Sequence, residues 1–321
     1  MQKLRHLPFV LAAGLAFWAA PASAADRRAR AIGPLGGLTV EVAVGAGRTR
    51  PRAARTTTLC ALLAQHPGIY IPELKEPWYF SSDDFPAKQA DYIQHFSPAL
   101  PGQLLGEGSV NYSGYQKEDI SIARIRDNNP DCRFIFIARN PLRRIESSYR
   151  EMHHSGVKFG LNAPYGLADN LQMFPQMIKD SLFFERISKY LQAFGPDSIQ
   201  VIFLEDLKAD PQPELEKCFR HLGVDSSFRA QRALRLNEGS SKYYDTRILR
   251  YIRSKPWSGF KLARLNPEQQ DRLLIPLGLR RAFNKPIAWD ARSLAMVREQ
   301  VAPDARRFLE AFGKPADFWE I

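Results

Sequence analysis

The chain has 321 residues, of which 45% are apolar and 25% charged, and a formal net charge of +11. This composition is that of an ordinary globular protein, long for one domain and short for two. Its three cysteines, Cys60, Cys132 and Cys218, are far apart, which excludes a disulfide framework and a structural zinc site and predicts buried thiols. Residues 1–55 hold nine basic and two acidic residues, a net charge of +7, which leaves only +4 (11 − 7) for residues 56–321. A charge this small on the rest of the chain does not indicate a nucleic-acid partner.

The N-terminus has the pattern of a secretion signal. Basic residues precede an apolar run over 7–20, and residues 21–24 (PASA) have the small-residue form of a cleavage site. We therefore predict a signal-peptide-like leader over 1–25, a linker over 26–37 and one domain over 38–321. The apolar run is short for a membrane span and no other segment is apolar enough, so we expect no transmembrane domain in the mature chain.

The rest of the chain alternates between strand and helix patterns. Strands are predicted at 38–45, 68–72, 133–139 and 198–205, and helices at 56–66, 141–154, 181–194, 211–222 and 290–312. The runs RFIFIAR and SIQVIFLE are nearly unbroken in apolar character, which is typical of strands buried on both faces of a parallel sheet. Pro141 in a first turn and Gly223 after a last turn mark helix ends. The alternation predicts an α/β fold with three layers and a mainly parallel central sheet.

Residues 139–149 (RNPLRRIESSY) follow the third of these strands without a gap. They place the Arg139 guanidinium at the carboxyl end of a parallel strand, where open α/β sheets bind their ligands. Ser147 lies two turns along the helix that follows. A guanidinium offers a planar fork to a phosphate and a hydroxyl adds a further donor, so this segment predicts a phosphate site. The alternative is an amphipathic helix with solvated arginines.

The pattern R-N-P-x-x-R-x-x-S-x-Y resembles the 3′-phosphate signature of sulfotransferases that use 3′-phosphoadenosine-5′-phosphosulfate (PAPS), especially the bacterial and heparan-type enzymes. The resemblance implies a P-loop-type fold, PAPS as the donor and 3′-phosphoadenosine-5′-phosphate (PAP) as the product. It also implies that Arg139 and Ser147 bind the 3′-phosphate, with Arg144 and Tyr149 in support.

Other segments carry the resemblance across residues 38–321. Thr56, Thr57 and Thr58 resemble the end of the family's 5′-phosphosulfate loop and the start of its following helix. Residues 107–112 (EGSVNY) are similar to its E-x-S-P-x-Y segment, with valine in place of proline. The family's E-D-L-x-x-D-P strand end is matched after the strand at 198–205.

Residues 75–80 (KEPWYF) are similar to the family's K-E-P-x-F-F element. The resemblance implies that Glu76 is the base that takes the proton of the acceptor, and that Lys75 and Trp78 contact acceptor or cofactor. Sulfuryl transfer is an in-line displacement, in which positioning and cationic stabilisation supply most of the catalysis.

Aromatic residues near this element are expected to line an acceptor pocket, namely Tyr79, residues 92–96 and the loop 237–244. They are equally consistent with core. We expect His153 and His154 to be exposed side chains at a helix end. No H-x-x-H pattern or acidic cluster occurs, so we expect no metal.

The phosphosulfate loop departs from the family's G-x-x-K-x-G-T-T-x-L pattern. Counted forward from the first strand, Arg48 takes the place of the lysine, whereas Ala53 does so when counted back from Thr56. Three hypotheses stay open. Arg48 is the catalytic cation, the loop is degenerate and the enzyme inactive, or residues 27–55 come from a shifted reading frame.

These patterns predict a transfer of the sulfuryl group of PAPS to a hydroxyl or amine, with a carbohydrate as the expected acceptor. One alternative is a catalytically impaired protein that binds PAP or PAPS. Another is a P-loop kinase, although the chain has no G-x-x-x-x-G-K-[ST] pattern. Because PAPS is made inside cells, we expect a cytoplasmic location, with export or membrane anchoring by the leader as the alternative.

Overall fold

The computed structural model describes residues 15–18, 40–43, 55–74, 76–156, 161, 163–231, 242–255 and 265–321. The predicted linker, Arg48 and Lys75 lie outside the described residues, as does most of the predicted leader. The division of the chain into leader, linker and domain therefore stays a prediction.

A six-stranded sheet forms the centre of the described chain. Its strands are β1 (Leu15–Trp18), β2 (Val40–Ala43), β3 (Ile69–Tyr70), β4 (Leu104–Gly108), β5 (Arg133–Ala138) and β6 (Ile199–Phe203). Strands β2 and β3 each pair in parallel with β4, and β6 pairs in parallel with β5. Strand β1 is antiparallel to both β4 and β5. Strands β2 to β6 therefore run in one direction, and their carboxyl ends lie along one edge of the sheet.

The helices alternate with the strands along the chain. They are α1 (Arg55–Leu63), α2 (Gln89–Gln94), α3 (Glu118–Asn128), α4 (Pro141–His154), α5 (Leu167–Met173), α6 (Gln176–Lys179), α7 (Phe183–Phe194), α8 (Leu204–Ala209), α9 (Pro211–Leu222), α10 (Arg247–Ser254), α11 (Pro267–Leu274) and α12 (Ala291–Ala311). A separate two-stranded antiparallel sheet pairs β7 (Tyr243–Asp245) with β8 (Arg280–Ala282). The predicted α/β fold is confirmed.

Helix boundaries follow from adjacent residues. Asp210 accepts a hydrogen bond from the N–H of Gln212 at 3.2 Å, and Pro211 stands at the first helical position, where no N–H is needed. Gly223 ends the same helix with a φ of +74°, a left-handed conformation that glycine adopts without strain. The predicted helices 141–154 and 211–222 are confirmed to the residue.

Alternate residues of β5 face two different cores. Ile135 and Ile137 pack with side chains of α1 and α9 on one face of the sheet. Phe134 and Phe136 point to the other face, where α7 and α12 cover them. Burial on both faces explains why this strand is an unbroken apolar run.

The three cysteines are buried thiols and form no disulfide within the described residues, as predicted. Within the ranges that the structure describes, no helix is both long and apolar enough to span a membrane.

Candidate functional site

The carboxyl edge of the sheet carries the residues that the sequence singled out. Glu76 follows β3, Ser109 follows β4, and Arg139 follows β5. Ligands of open α/β sheets bind outside this edge. The structure thus brings the predicted base and the predicted phosphate-binding arginine to the same side of the molecule.

Asn140 builds the turn that joins β5 to α4. Its Oδ1 accepts hydrogen bonds from the N–H groups of Leu142 at 2.9 Å and Arg143 at 3.2 Å, which caps the helix. Its backbone N–H donates to Glu205 Oε1 at 3.0 Å, and its Nδ2 donates to the carbonyl of Trp319 at 2.5 Å. These bonds from two other parts of the chain hold Arg139 at the strand end.

Ser147 lies half-buried on α4, two turns beyond this turn. Its hydroxyl has no hydrogen-bond partner among the residues that the structure describes. A donor is therefore available on the helix that begins at Arg139. The predicted roles of Arg139 and Ser147 in binding a phosphate stay predictions, and this geometry fits them.

Arg144 points away from solvent into a buried ion pair. Its Nη2 lies 3.5 Å from Asp180 Oδ2, and its Nη1 donates to Ser181 Oγ at 3.2 Å. Burial lowers the pKa of Arg144 to about 10, and Asp180 counteracts that shift. These contacts fasten α4 to the segment after α6. The predicted support of Arg144 for a phosphate site stays a prediction.

Tyr149 is also buried. Its hydroxyl donates to the carbonyl of Tyr165 at 2.5 Å, and its ring lies against His153 with centroids 4.4 Å apart.

His153 is fully buried, and burial together with Arg250 lowers its pKa to about 4. The prediction of an exposed helix-end side chain is wrong for His153, because Tyr165, Phe283 and Arg250 pack against its ring.

Helix α1 begins at Arg55, directly after the predicted phosphosulfate loop. Thr56, Thr57 and Thr58 therefore occupy its first turn, where backbone N–H groups are unpaired and attract anions. The side chains of these threonines lie outside what the structure describes, so their predicted contacts stay predictions.

Glu76 and Trp78 are half-buried next to Ser109. The indole Nε1–H of Trp78 donates to Glu76 Oε2 at 3.2 Å, and the backbone N–H of Trp78 donates to Ser109 Oγ at 3.1 Å. The predicted base is thus held by the residue that was predicted to contact the acceptor. Both predicted roles remain to be tested.

A buried carboxyl below this element was not identified from the sequence. Glu107 is fully buried and accepts hydrogen bonds from Ser109 Oγ at 2.6 Å, Tyr92 Oη at 2.7 Å and Tyr112 Oη at 3.1 Å. Burial raises the pKa of Glu107 to about 8, although these three hydrogen bonds lower it. The sequence placed Glu107 at the start of the segment similar to E-x-S-P-x-Y, but that pattern does not reveal the burial of the carboxyl or its three hydrogen bonds.

This carboxyl makes stability depend on pH. Since the pKa of Glu107 rises from 4.5 to about 8 on folding, its contribution is full below pH 4.5 and is lost as pH rises to about 8. We expect Glu107→Gln to flatten the fall in unfolding free energy between about pH 5 and pH 8, measured by urea denaturation. The exposed Glu73→Gln should keep the wild-type slope, and an unchanged slope in Glu107→Gln would contradict the assignment.

The aromatic residues around Glu107 are core. Tyr79, Tyr92 and Phe96 are each at most 4% exposed, and the rings of Tyr79 and Tyr92 stack with centroids 4.4 Å apart. The prediction that they line an acceptor pocket is wrong, because they close the core beneath the carboxyl edge. Trp78, which was predicted to contact acceptor or cofactor, stays partly exposed.

A cavity of about 300 Å³ lies beside the sheet of β7 and β8. It is lined by two tyrosine rings, two guanidinium groups and a hydroxyl, from Tyr165, Tyr244, Thr246, Arg247 and Arg281. Within the described ranges, no group of His, Cys, Asp and Glu side chains has the arrangement of a metal site.

Two comparisons with known proteins bear on the fold and on part of this site. A family model described as the sulfotransferase domain matches residues 119–270. The chain is also similar to a crystal structure of a sulfotransferase from Alicyclobacillus acidocaldarius, with a TM-score of 0.58 and 20% sequence identity. That similarity covers 87% of this chain and 98% of the other, and at this identity it establishes the fold alone.

Proposed function

We propose that this chain, which carries a sulfotransferase domain over residues 119–270, transfers the sulfuryl group of PAPS to a hydroxyl or amine of a carbohydrate. The observation that carries the proposal is the turn at Arg139–Asn140. It presents a guanidinium at the carboxyl end of β5 and begins the helix that bears the available hydroxyl of Ser147. We also infer that the fold is a P-loop-type sandwich of three layers.

The described residues fit the nucleotide end of PAPS. Arg139 and Ser147 would hold the 3′-phosphate, while the N–H groups that begin α1 would receive the 5′-phosphate. Arg48 is proposed as the cation at the leaving oxygen, and Lys75 as a contact to acceptor or cofactor. Bound PAPS supplies an activated sulfuryl group, and no metal is proposed.

Glu76 is proposed to hold the proton of the acceptor. Its carboxylate stands at the same edge as Arg139, and the Trp78 indole fixes one of its oxygens. A base must lie within hydrogen-bond reach of the hydroxyl that it deprotonates. The partly exposed Trp78 ring, beside that carboxylate, offers a flat apolar surface to a sugar.

The cavity beside the sheet of β7 and β8 supports a carbohydrate as acceptor. Tyrosine rings beside guanidinium groups suit a polar ring that carries negative charge. Since α4 has 14 residues, its far end lies about 20 Å from Arg139. An acceptor that reached both places would be an oligosaccharide.

A catalytically impaired protein that binds PAP or PAPS is the second candidate. It is favoured by the absence of a lysine from the G-x-x-K position of the loop before α1. Incubation with labelled PAPS and a panel of glycans separates the two. Label in a glycan supports the transferase, whereas PAP binding without label in any glycan supports the binder.

The site of action is proposed to be the cytoplasm. PAPS is made inside cells, and a donor-dependent enzyme needs access to it. Cell fractionation of the labelled full-length protein tests this location. Export directed by the N-terminal leader, seen as labelled protein outside the cytoplasmic fraction, would contradict it.

Arg139→Ala is expected to weaken PAP binding by about 1.5–3 kcal/mol, because a charged hydrogen bond to a phosphate is lost. Isothermal titration calorimetry on the intact protein measures the effect. Arg143→Ala is the matched control, since its side chain is 64% exposed and pairs with Glu146. Absence of PAP binding in the wild type, or equal affinities in the two variants, would refute the nucleotide site.

A further inference from the structure

Trp78 has an unfavourable backbone conformation. Its φ is +52°, and among non-glycine residues of the described chain only Glu320 shares a positive φ. Bulky residues rarely adopt this left-handed conformation, and it persists only where neighbouring groups hold it in place. Glu76, the proposed base, lies two residues away.

Two serines hold Trp78 in this conformation. Ser109 Oγ accepts the backbone N–H of Trp78 at 3.1 Å, and Ser81 Oγ donates to the carbonyl of Trp78 at 3.2 Å. Ser109 is itself fully buried and begins the turn after β4. The conformation of Trp78 thus depends on a residue 31 positions along the chain.

Ser109 is fixed in turn by Glu107. The Ser109 hydroxyl donates to Glu107 Oε2 at 2.6 Å, so its lone pairs are directed toward the Trp78 N–H. Glu107 is anchored by the hydroxyls of Tyr92 and Tyr112, and Tyr112 Oη also accepts the backbone N–H of Phe80 at 3.2 Å. The carboxyl has no access to solvent.

The same chain of bonds ends at the proposed base. From Trp78 it continues through the indole Nε1–H to Glu76 Oε2 at 3.2 Å. If Trp78 returned to an ordinary backbone conformation, its indole would leave Glu76. Hydrogen-bonded supports of this kind orient catalytic groups, and small misplacements reduce turnover strongly.

We infer that Ser109 and Glu107 are positioning residues that hold Trp78 in its left-handed conformation, so that its indole orients the Glu76 carboxylate. The inference rests on the proposed role of Glu76 as base. It assigns Ser109 and Glu107 to the orientation of that base, and it gives Trp78 a role toward Glu76 in addition to any contact with the acceptor.

The test uses full-length protein labelled with fluorotryptophan and observed by fluorine NMR. Trp78→Phe identifies the Trp78 resonance by its disappearance. We expect that resonance to move with pH in the wild type and to lose this movement in Glu76→Gln. Ser109→Ala should shift the resonance and weaken its response to Glu76, while Ser109→Thr, which keeps the hydroxyl, should retain it.

Kinetics give the second measurement. Ser109→Ala should lower kcat on the order of tenfold to a hundredfold without changing PAP affinity, and Ser109→Thr should restore it. Trp78→Phe should move the acid limb of the kcat profile to higher pH, because the carboxylate loses a hydrogen bond that favours its charged form. Ser113→Ala is the matched control, since this buried hydroxyl on the same turn has no hydrogen-bond partner within the described ranges.

The outcomes separate this inference from the proposed function. The inference is overturned if the pH dependence of the Trp78 resonance is the same in Glu76→Gln as in the wild type, or if the resonance is unchanged in Ser109→Ala. Either result overturns it even if sulfuryl transfer is observed. The inference is supported if the pH dependence of the Trp78 resonance is lost in Glu76→Gln and weakened in Ser109→Ala. This holds even if no acceptor is sulfated.

Discussion

Glu76→Gln is expected to lower kcat on the order of a hundredfold to ten-thousandfold while PAP affinity stays at the wild-type value. Glutamine has the size of glutamate and its carbonyl oxygen can still accept the Trp78 indole N–H, so the local geometry is kept. What is lost is the ability to take a proton from the acceptor. Initial rates with labelled PAPS, together with calorimetry for PAP, measure the two quantities.

The control for this substitution is Glu73→Gln. Glu73 is an exposed acid three residues upstream in the same segment, and it makes no contribution to the proposed chemistry. Its kcat should equal that of the wild type. If Glu76→Gln retained wild-type turnover, another group would have to be the base.

Arg186→Met is expected to lower the free energy of unfolding by about 3–5 kcal/mol. Arg186 on α7 is fully buried and forms an ion pair with Glu118 on α3, which is also fully buried. Methionine fills a similar volume but leaves the Glu118 charge with only Lys189, whose side chain is 34% exposed. The cost is that of a buried carboxylate that has lost one of its two cationic partners. Urea or guanidinium denaturation at neutral pH gives the measurement.

An exposed pair provides the comparison. Arg220 and Glu216 are neighbours on α9 at 3.9 Å, and the Arg220 side chain is 59% exposed. Arg220→Met should change the free energy of unfolding by less than about 1 kcal/mol, because solvent screens such pairs. Similar losses in the two variants would show that burial of the Arg186 pair is not the cause.

Local patterns were sufficient for much of the fold. The helix from Pro141 and the helix from Pro211 were both predicted with their observed bounds, because caps, an N-terminal proline and a terminal glycine act within a few residues. The strands β5 and β6 were identified from unbroken apolar runs. Strand β4 was missed as an element because its sequence LLGEG contains two glycines and an acid.

The candidate site divides in the same way. The Arg139–Asn140 turn could be predicted because its geometry depends on adjacent residues and follows a strand of clear pattern. The burial of Arg144 could not, because its partner Asp180 lies on a segment that only the folded chain brings close. An arginine in the sequence does not indicate whether its guanidinium will face a phosphate or an aspartate in the folded protein.

The sequence by itself predicted the strand-to-helix segment at Arg139 and the burial of the three cysteine thiols, and its resemblance to a family supplied the proposed base. Only the tertiary structure decided that Tyr79 and Tyr92 are core, that His153 is buried, and that Glu107 and Ser109 reach Glu76 through Trp78. The physical reason is the range of the interactions. Caps and strand patterns depend on neighbours along the chain, whereas burial and the hydrogen bonds of a carboxyl depend on residues that folding brings together.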